Sequence, residues 1–433
     1  MHPIAQEMNQ VIRANAPAAY DLLSDFGRNI YMPKGIIVQG AEAKQKAHKY
    51  NATIGIAKEG ADPMHLESVR KYFNDLSPTE LFDYAPPAGL PGLRQAWLAK
   101  MLAENPALAG KTVSLPVVTN ALTHGLMLAA DLFLDRGDVV LIPDKLWDNY
   151  SLMFEVRYGA TIRNFPLFDE GLTGFNAAAL AEALREAPQK VVLLLNFPNN
   201  PTGYTPTAAE AAEIVRTVVQ AAEAGKKILV ICDDAYYGLN YRDDLVAGSI
   251  FGQFVGAHPN IVALKADGFT KEFYVWGFRV GFITLGDYGQ SPAAYAALEA
   301  KAGACIRSSI SNCSQPAQSV LLKMLKGGDY QEERRAKFGI LKARADKVRE
   351  VAYAPQYADC WDVYPFNSGY FMCLRVKGVD ANALRLHALD QHGVGAIALG
   401  PTDLRIAFSC LEADQIEDTF RLIAQSIHEM RGG

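Results

Sequence analysis

Between about residues 115 and 285, short continuous apolar runs alternate with longer stretches of helical period. The runs are Pro116–Val118, Val139–Ile142, Val191–Leu195, Ile228–Ile231, Ile261–Leu264 and Val280–Leu285, and the helical stretches include 124–134, 149–158, 177–186 and 207–224. A run that is apolar at every position suits a strand buried on both faces. The pattern therefore predicts an α/β fold with a mostly parallel sheet covered by helices. In such sheets ligands bind outside the carboxyl ends of the strands. The polar clusters fall there: Thr119-Asn120, 143–150, 196–203, 233–236 and 268–271.

The flanks read differently. Residues 1–60 lack a steady period and suggest a helix followed by an extended arm, with turn signals at Pro33-Lys34-Gly35 and Gly55. A helix is predicted over 64–75. A turn-rich loop follows from Tyr84 through Gly89 to Arg94, and Pro91 is placed to start a helix near 92–105. After Pro316 the pattern is helical, and the charges of Tyr330–Ala352 read as the solvated face of one long helix. A strand at Phe371–Val376, a helix near 381–392, a strand at Arg405–Ser409 and a closing helix over 413–430 complete a smaller α+β region. The expected organisation is a large domain over 65–328 and a small one built from 1–64 with 329–433.

Composition narrows the classes. Half of the 433 residues are hydrophobic, enough for one large core or two unequal domains. A net charge of −5 without a basic stripe gives no reason to expect nucleic acid. No apolar run approaches the ~18 residues that span a bilayer. The first residues carry Glu7, Asp21 and Asp25 and no continuous apolar core, which argues against a secretory signal and for a cytoplasmic protein. Six scattered cysteines without a CxxC pair read as reduced thiols, and no metal is expected.

The candidate chemistry centres on Lys271 and Arg279 in Thr270-Lys271-Glu272-Phe273-Tyr274-Val275-Trp276-Gly277-Phe278-Arg279, just past an apolar strand. A partly desolvated amine beside another cation has a lowered pKa and can condense with a carbonyl. A nearby guanidinium suits an anionic group. Asn199-Asn200-Pro201-Thr202-Gly203 follows one predicted strand, and Asp233-Asp234-Ala235-Tyr236 ends the next. A carboxylate at a buried strand end needs a partner.

This order of motifs, together with Leu404-Arg405-Ile406-Ala407-Phe408-Ser409, resembles the fold-type-I pyridoxal-phosphate (PLP) aminotransferases, and within them the aspartate aminotransferases. The resemblance implies that Lys271 holds PLP as a Schiff base and moves the substrate's α-proton. It implies that Asp233 pairs with the pyridine nitrogen, and that Tyr236 and Asn200 bond the ring's phenolic oxygen, with the Asn200–Pro201 bond often cis. Arg279, Thr270 and the helix start at Ala121, Leu122 and Thr123 would hold the phosphate, and Trp147 would stack on the ring and border the substrate. Arg405 would clamp the substrate α-carboxylate, assisted by Asn200. Arg307 would reach across a dimer interface to a side-chain carboxylate, and Tyr84 to the neighbouring subunit's phosphate. A homodimer with shared active sites follows, acting on small amino acids and 2-oxo acids by a ping-pong transfer, with aspartate or glutamate as donor. An aromatic or neutral amino-acid aminotransferase, or a PLP-dependent lyase or decarboxylase, remains open.

The chain departs from the aspartate aminotransferases in several places. Gly268 stands where a serine often faces the phosphate. Ala121-Leu122 replaces a small polar pair, Tyr150 stands in place of histidine, and Cys313-Ser314 in place of Pro-Pro. Residues 32–50 have no counterpart.

Overall fold

The computed structural model describes residues 1–33 and 35–432; Lys34 of the expected Pro33-Lys34-Gly35 turn lies outside them, as does Gly433. Seven strands make the main sheet: β1 (Val117–Thr119), β2 (Val139–Pro143), β3 (Thr161–Phe165), β4 (Lys190–Asn196), β5 (Lys227–Asp233), β6 (Ile261–Gly268) and β7 (Gly281–Asp287). Their order is β1-β7-β6-β5-β4-β2-β3, and only β7 runs against its neighbours. The apolar runs are buried on both faces. Leu141, Val191, Leu193 and Val230 join one core cluster, while Val140, Ile142, Val192 and Leu194 join another on the opposite face.

The register matters for function. Asn196 sits opposite Asp233, and Asp233 opposite Ala266, so the carboxyl ends of β4, β5 and β6 finish side by side. The covering helices start where local chemistry allows. Pro292 opens Pro292–Ser309, and Thr207 with Glu210 forms a reciprocal cap at Ala208–Glu223.

A second, antiparallel sheet contains β8 (Trp361–Val363), β9 (Met372–Val376), β10 (Ile397–Leu399) and β11 (Asp403–Ile406), in the order β8-β9-β11-β10. The helices Tyr330–Ala352, Ala381–His392 and Ala413–Gly432 pack with it around one cluster that includes Leu341, Leu384, Leu404 and Phe420. Tyr50–Asn51 pairs in parallel with Val394–Gly395, which draws residues 50–56 onto this part of the molecule.

Several elements differ from the sequence pattern. The amino-terminal region holds four helices, Pro3–Asn15, Pro17–Leu22, Asp25–Asn29 and Ile36–Lys46, where one helix and an arm were expected. The edge strand β3 had no apolar signature because most of its residues face outward. The predicted helix 149–158 is a wide π-helical turn, Ser151–Arg157. The expected strand Arg405–Ser409 ends at Ile406 and passes into the short 3₁₀ turn Phe408–Cys410. The cis bond among the described residues is Phe197–Pro198 and not Asn200–Pro201. All six cysteines are free.

Candidate active site

A cavity of 240 Å³ opens at the carboxyl ends of β4, β5 and β6, below the second sheet. Of the residues singled out in the sequence, Ala121, Leu122, Thr123, Trp147, Asn200, Asp233, Tyr236, Thr270, Lys271, Arg279 and Arg405 are brought together around it. Tyr84 and Arg307 do not. Tyr84 is 89% exposed on a loop, and Arg307, in the last turn of Pro292–Ser309, donates to the Ser311 hydroxyl at the surface.

Lys271 sits in the single helical turn Phe269–Glu272 that directly follows β6. Its ammonium nitrogen lies 4.9 Å from the centre of the Tyr236 ring. Burial pushes the amine down to about 8, Asp233 opposes the fall and Arg279 adds to it. The lysine is thereby close to the neutral, nucleophilic form near physiological pH.

Asp233 closes β5 and is buried, and that burial raises its carboxyl above the usual range. Three contacts fix its direction. The Tyr150 hydroxyl donates to Oδ2 at 2.7 Å, the Ala235 N–H donates to Oδ1 at 3.1 Å, and Asn196 Nδ2 donates to the Asp233 carbonyl at 2.9 Å. The tyrosine in the place of histidine thus keeps a hydrogen bond to this carboxylate, from a group that stays neutral throughout the physiological range. Tyr150 N–H also bonds Trp147 O at 3.1 Å, so one turn both aims the carboxylate and places the indole.

The anion corner is defined by unused donors. Arg279 donates to Trp276 O at 3.3 Å and forms no ion pair among the described residues. Thr270 Oγ1 is buried with no hydrogen-bond partner. The helix Ala121–Phe133 begins here, and Ala121 holds φ of 61° while Arg279 holds 54°. Non-glycine residues in that region store strain, and such residues concentrate at ligand clamps. A Cβ on Gly281 would lie 2.8 Å from the Ala121 carbonyl carbon, so the bare glycine lets this turn seat. Gly268 has the same explanation: its Cβ would stand 2.6 Å from Gly281 Cα and 2.7 Å from Val280 O. A serine there would collide with β7.

Arg405 comes from β11 in the second sheet and is buried. It donates to Asn200 Oδ1 at 3.0 Å and to Thr53 O at 2.9 Å, and its guanidinium carbon lies 4.3 Å from the centre of the Phe371 ring. Its Nε is buried without a partner, and no carboxylate pairs with it among the described residues. Asp148 acts on it only from beyond ion-pair distance, so the buried guanidinium favours an incoming carboxylate.

Other lining residues are given no role from the sequence. Ile36 belongs to the helix Ile36–Lys46 that could not be placed from sequence, and Gly55, Asn196, Ala235 and Phe371 complete the wall. No local motif marks Ile36 or Phe371. Asn196, the last residue of its strand, is marked only as the start of the polar cluster 196–203, with no contact assigned to it.

These groups fit pyridoxal phosphate: an unpaired guanidinium, an orphaned hydroxyl and a helix start for a phosphate, and a lysine and a buried carboxylate for a ring. Comparison with known proteins agrees. The family profile "Aminotransferase class I and II" matches residues 48–423. An aspartate aminotransferase of Musicola paradisiaca is 28% identical over 207 residues, 47% of this chain and 48% of that protein. A probable aspartate/prephenate aminotransferase of Aquifex aeolicus is 28% identical over 273 residues, 63% of this chain and 64% of that one. The chain thus spans from about half to somewhat under two-thirds of the length of these curated relatives. The crystal structure of an aminotransferase from Anaerococcus prevotii superposes with a TM-score of 0.81 at 22% identity, covering 92% of this chain and 97% of that one. An aromatic amino acid aminotransferase from Burkholderia cenocepacia superposes at 0.74 with 21% identity, covering 92% and 98%. With a matching profile over most of its length, this fold and this cavity, the chain belongs to the class I and II aminotransferases.

Proposed function

We propose that the protein is a PLP-dependent aminotransferase that takes the amino group of a small α-amino acid and passes it to a 2-oxo acid in two half-reactions. The observation that carries this reading is the pairing, in one cavity, of a lysine with a lowered pKa and a buried arginine that is in no ion pair among the described residues. When bound, pyridoxal phosphate supplies an electron-withdrawing ring that drains charge from the substrate's α-carbon. Lys271 is the group placed to remove and return the proton at that carbon. Asp233, aimed by Tyr150, would pair with the ring nitrogen, and Trp147 would stack on the ring. Arg405 holds the α-carboxylate, and its planar fork fits two carboxylate oxygens where a lysine would offer a single point.

The preferred amino donor is aspartate or glutamate, on the strength of the aspartate aminotransferases among the relatives. Within this chain the cations lining the cavity are Lys271, Arg279 and Arg405, each already assigned. A side-chain carboxylate therefore needs Arg307 from a second copy. We accordingly propose a homodimer, to which the exposed Tyr84 also contributes, with 65–328 as the large domain and 1–64 with 329–433 as the small one. The second reading, an aromatic or neutral amino acid, is favoured by the apolar Ile36, Trp147 and Phe371 around Arg405.

An absorbance scan of the cofactor-loaded protein separates them. Aspartate alone, without oxo acid, should convert the pyridoxal band to the pyridoxamine band. Conversion by phenylalanine only would discard the dicarboxylate reading, and no conversion by any amino acid would discard the aminotransferase.

A further inference from the structure

Away from the cavity, two histidines and a glutamate converge where two helices end. His392 is the last residue of the helix Ala381–His392, followed by Gly393 in the left-handed conformation, and His387 lies further back on the same helix. Glu429 lies in the last turn of Ala413–Gly432. His392 Nε2 is 2.9 Å and His387 Nε2 3.6 Å from the same oxygen, Glu429 Oε2. One ligand atom from each residue lies within 4.8 Å of the other two.

We propose that His387, His392 and Glu429 bind a zinc ion, with water in the fourth position, and that this ion clasps the two helices together. Tetrahedral zinc with nitrogen and oxygen ligands at about 2.0–2.2 Å sets neighbouring ligand atoms roughly 3.3–3.5 Å apart. The two separations from Glu429 Oε2, 2.9 and 3.6 Å, bracket that spacing. Two imidazoles with one carboxylate suit zinc better than magnesium or calcium, which prefer all-oxygen shells.

Three further features point to a cation. Glu429 pairs with no lysine or arginine among the described residues, so no fixed positive charge balances it. Its other oxygen accepts from Gln425 Nε2 at 2.8 Å, and Gln425 Oε1 accepts from Arg421 Nη1 at 3.1 Å, which orients the carboxylate. Both helices turn their carboxyl ends, the negative ends of their dipoles, toward the site. His387 Nδ1 is buried with no partner, so nothing raises that ligand's basicity. The affinity should therefore be below that of a closed four-ligand zinc site.

A rival cluster, Asp359 with Cys360 and His428, is already served. Arg431 donates to Asp359 Oδ2 at 3.1 Å, and burial pushes the Cys360 thiol up to about 11.

The test uses cofactor-loaded, full-length protein dialysed against a chelator and titrated with zinc chloride in a calorimeter. Uptake of one equivalent per chain is expected, with a raised Tm and an anomalous zinc peak between the two helices in a crystal. His392→Ala and Glu429→Gln should keep the zinc-free Tm but lose the uptake, and Gln425→Ala should weaken it about tenfold or more. Absence of saturable uptake would overturn the site. So would uptake that survives His392→Ala, or uptake that disappears only in His428→Ala.

Discussion

The floor and the roof of the cavity are built in different ways. The floor, with Asp233, Thr270, Lys271 and Asn196, stands on the ends of adjacent strands locked by one continuous ladder. The roof, with Arg405, Phe371, Ile36 and Gly55, is gathered from a second sheet and the amino-terminal segment. It meets the floor through loop contacts. Arg405 reaches Asn200 and Thr53, and the N–H groups of Asn367 and Ser368 both donate to Gly203 O at 2.9 Å. The chemistry proposed for the floor is therefore mounted on the continuous ladder of the main sheet, whereas the recognition proposed for Arg405 depends on contacts made across the seam.

The sharpest way to separate the two halves is to remove the amine from the floor. Lys271→Ala should lower turnover by about 10²- to 10⁴-fold while the fold persists, measured by single-turnover kinetics with an amino acid. On the roof, Arg405→Lys should lower kcat/KM by roughly 10- to 100-fold, chiefly through KM, because a bidentate charged contact becomes a single one. A kcat loss as deep as that of the Lys271 variant would erase the distinction.

The seam itself is tested at Gly203, whose φ is 71° and whose Cβ would lie 2.0 Å from Phe371 O. Gly203→Ala should cost at least about 1–3 kcal/mol in denaturant unfolding. If stability is unchanged, the roof is not held as described.

The last test concerns pH. The Lys271 amine titrates at about 8 in the folded, cofactor-free protein and near 10.4 when unfolded. Below about pH 8 both states carry the proton and stability is flat. Between these values the unfolded state holds more protons, so stability rises with pH. The advantage of a Lys271→Leu variant over the cofactor-free parent should therefore shrink from pH 8 to 10 in urea titrations. A constant advantage would place the amine in water rather than in the floor.

Much of the floor is legible in the sequence. Uninterrupted apolar runs identify strands buried on both faces, and polar residues just beyond them mark the ligand edge. Lys271, Asp233, Tyr236, Thr270 and Asn200 were all read in that way, with family resemblance naming their roles. The exposed edge strand β3 and the wide turn at Ser151–Arg157 left no comparable period. What sequence determined by itself was thus local: element type, the order of the sheet-building runs, and which short motifs sit at strand ends. What only the tertiary structure decided was everything set by close approach between distant segments. It placed Ile36 and Phe371 beside Arg405, turned Tyr150 onto Asp233, and removed the side chain at Gly268 because β7 lies too near. Periodicity encodes the burial of a residue by its own element, but contacts across hundreds of residues are chosen by packing, and no spacing along the chain records them.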